Sequence, residues 1–277
     1  MKISTAIFTL FFYTLAFAQN YYRDIVGTNE LNELYRQYKA NKVRTVTATG
    51  FDAEGRKTNE FSEVRRFYPE KNTLLISTVN GDSKTNQYYQ FNSADLITSV
   101  TDTTSGVITT TTYSYTATSQ LAAIKTIAKD ADTVYVNEQH IWTYKNNTPE
   151  KMLRILNGVD TTEFRFTIDE NGNVIEEQPF RRGNAGEMIY YYYNDENRLT
   201  DIVRFNQKAH RLLPDVMFEY NDKGLLRQKL TTITTIGVGY LLWTYAYNEN
   251  GLKTKEASFN RNKEMMGKIE YSYEFGQ

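Results

Sequence analysis

The 277-residue chain has no cysteine, only four prolines and two histidines, and no apolar run long enough to cross a bilayer as a helix. Without cysteine there is no disulfide, no thiol nucleophile and no lipid carried on a cysteine, so packing and backbone pairing must hold the fold. His140 and His210 have no ligand-type neighbour at metal-binding spacing, so no metal and no cofactor is expected. Glycine-rich phosphate loops and Gly-x-Ser-x-Gly are missing too, which removes the readable nucleotide and serine-hydrolase chemistries. Charge of one sign is equally lacking: 32 basic residues stand against 33 acidic ones. That balance argues against nucleic acid, and against a membrane surface, as an electrostatic partner.

What is present begins with Met1-Lys2, a short apolar stretch over residues 6–17, and Ala16-Phe17-Ala18 before Gln19. This pattern predicts a secretory signal peptide over 1–18. Its stretch is shorter than the roughly 20 residues of a membrane-spanning helix, so export without a transmembrane helix is expected. The destination is the periplasm, the outer membrane or the exterior. Residues 19–41 then read as an N-terminal segment with one helix. Leu31, Leu34, Tyr35 and Tyr38 form a single stripe over 29–40, behind a capping candidate at Thr28 or Asn29. The expected role of this helix is to cover the open edge of a sheet.

From 42 to 277 the chain alternates polar and apolar residues, and 22 tyrosines and 15 phenylalanines favour strands. Segments recur. Tyr191, Tyr193 and Asn194 precede Asn197 and Leu199; Phe218, Tyr220 and Asn221 precede Gly224 and Leu225; Tyr245, Tyr247 and Asn248 precede Gly251 and Leu252. Looser copies lie at Tyr89 to Leu96, Tyr113 to Leu121, Trp142-Thr-Tyr144 and Phe166 to Gly172, with Phe51 to Gly55 first and Tyr271-Ser-Tyr273 last. Eight or nine units result. The spacing explains itself: Tyr-x-Tyr puts two aromatics on one sheet face, and Asn-x-x-Gly supplies a turn whose last position tolerates positive φ. The fold class is therefore all-β: tandem β-hairpin repeats in an extended, curled antiparallel sheet or solenoid-like array, with one short N-terminal helix.

These units resemble the tyrosine-aspartate (YD) repeats of the Rhs family, whose pattern is close to Tyr-x-Tyr-Asp-x-x-Gly-Arg-Leu. Asn194, Asn221 and Asn248 stand where the family usually has Asp, Asp52 and Asp169 keep it, and Arg198-Leu199 keeps the Arg-Leu pair. The resemblance implies export and a β-sheet shell. The toxic C-terminal domain often found in such proteins is not expected here, because the repeats continue to Tyr273.

For chemistry, Tyr88, Tyr190 and Tyr192 are the candidate binding residues, because each lies opposite a packed motif aromatic and can stack on a sugar or anchor a protein. Glu176-Glu177 reads as solvated charge rather than a catalytic pair. Asp169 to Asn173 resembles the start of a Ca²⁺ loop, but Phe180 replaces the closing glutamate and a turn is expected. Asp102-Thr103, Asp132-Thr133 and Asp160-Thr161 resemble a bacterial O-glycosylation signal. The resulting expectation is an exported non-enzymatic scaffold or binding protein for a protein or glycan partner. An outer-membrane β-barrel and a glycan-active enzyme are the alternatives.

Overall fold

The computed structural model describes residues 19–104, 106–207, 209–233 and 239–276; the expected signal peptide, 1–18, lies outside them. A π-helical turn, Tyr22–Val26, leads into helix α1, Gly27–Ala40. The strands that follow are β1 Val43–Phe51, β2 Lys57–Tyr68, β3 Thr73–Asn80, β4 Ser83–Phe91, β5 Ile97–Thr104 and β6 Val107–Tyr115. Next come β7 Leu121–Lys129, β8 Val134–Lys145, β9 Thr148–Leu156, β10 Asp160–Ile168, β11 Val174–Arg181 and the two-residue β12 Asn184–Ala185. The last are β13 Ile189–Tyr193, β14 Leu199–Asn206, β15 Arg211–Tyr220, β16 Leu226–Ile233, β17 Gly239–Tyr247, β18 Lys253–Phe259 and β19 Met265–Phe275.

All strands belong to one antiparallel sheet in chain order, and β1 pairs with both β2 and β19. The sheet therefore closes. Because β12 only extends the hairpin from β11, eighteen strands go round. This corrects the expectation of an extended, curled or solenoid-like array. Each motif carries the physical reason: a β-bulge falls at the last aromatic, between Ser114 and Tyr115, Thr143 and Tyr144, Tyr192 and Tyr193, Glu219 and Tyr220, and Ala246 and Tyr247. A bulge bends its strand and increases local twist, so a bulge repeated in step curves the sheet until its ends meet.

The same tyrosines tie strands across the curve. Hydroxyls of Tyr115, Tyr144, Tyr193, Tyr220, Tyr247 and Tyr273 donate to carbonyls of Ile97, Leu121, Val174, Leu199, Leu226 and Lys253, all at 2.6–2.9 Å. The turns follow one design. At 194–198 the Asn194 N–H donates to the Arg198 carbonyl, and its side-chain oxygen accepts from the N–H groups of Glu196 and Arg198. Asn221, Asn248 and Asp169 repeat it, so the Ca²⁺-like segment is a turn, as expected. The fourth position is left-handed, occupied by Gly224 at φ 75° and by Asn197 at φ 58°.

Motif aromatics face inward. Tyr191, Phe218 and Trp142 are buried on the concave face, in clusters shared with Phe164, Val174, Ile202, Val216 and Met152. The convex face is mostly polar, with exposed Thr112, Lys125, Lys151, Arg165 and Lys255. Among the described residues no helix is long and apolar enough to cross a membrane.

Candidate functional site

With the sheet closed there is no open edge for α1 to cover. The helix crosses the bore instead. Its C-terminal half packs on β1 to β5: Tyr35 stacks on Phe91 at 3.8 Å and meets Phe67 edge-on, while Tyr38 lies with Val43, Val46 and Leu74. Its N-terminal approach reaches the far wall, where Tyr21 packs on Phe166 and Tyr191, and Tyr22 on Phe218. Glu33, Arg36 and Lys39, on the remaining face, are exposed.

Helix starts carry N–H groups without partners inside the helix, and a carboxylate is well suited to receive them. Here the carboxylate comes from β11. Glu177, fully buried, accepts from the backbone N–H groups of Asn20 and Tyr21, the Asn20 side-chain amide and the Tyr191 hydroxyl, at 2.6–3.1 Å. Glu177 is thus not solvated charge, a correction that follows from its partners. Nor is the helix capped at Thr28 or Asn29, because helical turns continue back to this carboxylate. Glu176 behaves as expected and lies outward, accepting from the Thr167 hydroxyl.

A second anchor joins Asp24 of the π-turn to β8. His140 contacts Asp24 through Nδ1 at 2.5 Å and Glu138 through Nε2 at 2.7 Å, and Trp142 Nε1 donates to the same Asp24 oxygen at 3.3 Å. Two carboxylates on the two ring nitrogens are satisfied together only by an imidazolium donating from both. Burial works to lower the His140 pKa, but the Asp24 charge and the two hydrogen bonds prevail and raise it. Burial likewise works to raise Glu138, yet the hydrogen bonds from His140 and Arg154 hold it at about 2. At the other end of α1, Asn32 accepts the Ile97 N–H at 2.8 Å, and Arg65, ion-paired to Glu63, donates to the Tyr38 hydroxyl at 3.0 Å.

Chemically this arrangement is a latch. Its carboxylates are engaged within it: Glu177 by the N-terminal segment, Asp24 by His140 and Trp142, and Glu138 by His140 and Arg154. Among the described residues no group of three His, Cys, Asp or Glu could hold a metal ion. The sequence-predicted Tyr88 and Tyr192 are each 47 % exposed and Tyr190 is half-buried, all on the outer face. Tyr190 and Tyr192 share β13, but Tyr88 lies on β4, eight strands away around the barrel, so the three do not form one site. Next to Tyr192 an open cleft of about 380 Å³ runs between the turns at Asp169 and Asn194. The latch residues escaped sequence reading because their partners are remote; the one available signal was polar Asp24 and Asn32 on an otherwise amphipathic segment.

No family model matches the chain, and no curated protein matches it. Among solved structures, a porin-like protein from Bacteroides uniformis aligns at 10 % identity and TM-score 0.45, over 84 % of this chain and 97 % of that one. A porin-like protein from Bacteroides vulgatus aligns at 10 % identity and TM-score 0.22, over 84 % and 98 %. The TcdB2-TccC3-Cdc42 complex aligns at 12 % identity and TM-score 0.35, over 76 % of this chain and 11 % of that one. Each score is below the level at which a shared fold follows.

Proposed function

We propose that the protein is a β-barrel held at the outer membrane, a non-enzymatic envelope component whose bore is crossed by its own N-terminal helix. The closed sheet favours the barrel over the open scaffold, and it is the observation that carries this reading. Support for a non-enzymatic role comes from the carboxylates, since Asp24, Glu138 and Glu177 are all committed to the latch. The wall qualifies how the membrane is met. A barrel sunk across a bilayer presents an apolar band about 25 Å tall, whereas Lys125, Lys151, Arg165 and Lys255 interrupt this one at mid-wall. Contact through part of the surface fits it better. Its recurrent Asn- or Asp-headed turns support a diverged relation to YD-repeat proteins. Tyr192, beside its cleft, Tyr190 on the same strand, and Tyr88 on another wall are the proposed contacts for a glycan or protein partner.

Fractionation of the native host tests this. The protein should sediment with outer membranes, leave them in carbonate without detergent, and give no conductance steps in planar bilayers. Recovery solely in the soluble fraction, or a steady conductance, would overturn the reading.

A further inference from the structure

The even charge balance of the chain conceals a segregation that only folding reveals. At the end of the barrel opposite the turns at 92–95, 169–172, 194–197, 221–224 and 248–251, the connections at 81–82, 130–133 and 157–159 contain Asp82, Asp130 and Asp132 and no basic residue. The β1–β2 turn on the same rim holds Asp52 and Glu54 against Arg56, which is ion-paired to both, and Lys57 and Lys129 stand at the adjoining strand ends. Round the same rim, from β11 to β19, stand Arg182, Arg211, Arg261 and Lys263, all exposed and none in an ion pair among the described residues. Glu187 and Glu264 are the acidic residues of that sector's described turns.

Directly beneath the basic arc the outer wall turns apolar. Register puts Met217 beside Leu230, Leu230 beside Leu242, Leu242 beside Phe259 and Phe259 beside Met265. These five alternate with inward Phe218, Trp243 and Ser258, so they form one outward row across β15 to β19. At about 4.8 Å per strand the row is roughly 19 Å long. Within the row Met217 is exposed and Leu230, Leu242, Phe259 and Met265 are half-buried; Phe205 beside Leu212, and Tyr240, continue it toward the rim at 37–40 % exposure like Met217. Monomeric proteins rarely leave such a row uncovered without a partner for it.

We infer that this sector, the β14–β19 wall with its basic rim, docks on a lipid surface bearing anionic headgroups. Charge complementarity selects the occupant: cations at the edge and apolar side chains just below them match headgroups and the acyl boundary in that order. Shape agrees, because the patch is a thin convex arc at one rim. It suits tangential contact with a plane better than the broad complementary area of a stable protein interface. The acidic half of the rim then faces away, so the barrel sits tilted. The inference rests on the outer-membrane reading and names its contact face.

Vesicle flotation of the full mature chain tests it, using phosphatidylcholine alone and phosphatidylcholine mixed with phosphatidylglycerol. The protein should float with the anionic vesicles and be released by salt. Arg211→Glu with Arg261→Glu should weaken partitioning by roughly fivefold for each cation removed. Leu242→Ser with Phe259→Ser should weaken it about tenfold, and Ile127→Ser, on the far wall, should leave it unchanged. Unaltered near-ultraviolet circular dichroism shows that the variants fold; if the serine pair does not fold, the exposed rim-charge variants decide alone. Equal binding to neutral vesicles, binding indifferent to these substitutions, or no binding to either vesicle overturns the inference. If the native protein still fractionates with outer membranes while ignoring both vesicles, only the lipid assignment fails; if it is soluble in the host, the underlying reading fails as well.

Discussion

Glu177 shows how much one side chain can organise when it is buried at a helix start. It receives four hydrogen bonds, two of them from backbone N–H groups with no partner inside the helix. Glu177→Gln keeps the size but loses the charge and turns one acceptor into a donor facing other donors. Charge-assisted hydrogen bonds contribute about 1.5–3 kcal/mol each, so we expect a loss of about that size overall, read as a lowered urea midpoint with an unchanged slope. A stability equal to wild type would show that the carboxylate does not hold the helix. His140 gives the second expectation. Its folded pKa is raised, so its contribution is complete below the unfolded value of roughly 6.5 and is lost as pH rises through the folded value. Glu138 acts oppositely: its contribution is present above about 4.5 and is lost as pH falls toward about 2. The latch should be tightest between those limits, and His140→Gln should remove the alkaline decline from the profile of melting temperature against pH. Identical declines in both proteins would rule out this origin. Neither group was legible in the sequence, because Glu177 lies 157 residues from Asn20 and His140 lies 116 from Asp24. The inward and outward sorting of Tyr190 to Tyr193 was legible, since strand alternation is a local property.

The helix illustrates the same limit among elements. Its stripe of Leu31, Leu34, Tyr35 and Tyr38 placed it correctly, with the C-terminus at Ala40 as expected and the start at Gly27, two residues early. Its role was misread because one apolar stripe fits a sheet edge or a bore equally well. What distinguishes the two is the burial of Thr28 and Asn32 beside the aromatics, which requires partners on more than one side. Tyr35 sits at the centre of this contact, fully buried and stacked on Phe91. Removing a large aromatic from such a place costs about 3–5 kcal/mol, through lost transfer energy and the cavity left behind. Tyr35→Ala should therefore detach the C-terminal half of α1, giving new proteolytic cleavage within 27–40 while the barrel keeps its β-type circular dichroism. Simultaneous loss of the β signal would mean that the barrel cannot stand without the helix, and protection equal to wild type would mean that α1 is held elsewhere.

At the scale of the molecule, closure decides everything that distinguishes this protein from a repeat scaffold. Strand count, strand order and turn chemistry follow from nearest-neighbour patterns that recur along the chain. Closure depends instead on the match between the first strand and the last, and on bulges whose bending accumulates over the whole sheet. No local pattern encodes it. The β1–β19 seam can be tested directly because the chain has no cysteine to interfere. Thr47 and Ser272 are register partners across the seam, both on the outer face, and the Ser272 hydroxyl already contacts the Thr47 carbonyl at 3.5 Å. Directly opposed residues of an antiparallel pair have Cα atoms about 4.5–5.5 Å apart, within reach of a disulfide. Thr47→Cys with Ser272→Cys should therefore oxidise without perturbing the fold, and the denatured, unreduced chain should run faster on a gel as a large loop. Tethering ends so distant in sequence constrains the unfolded chain and should raise stability by about 2–4 kcal/mol. An open curled sheet would keep the two thiols apart, reactive toward alkylating reagents and without the mobility shift; that outcome would return the protein to the class of open repeat arrays.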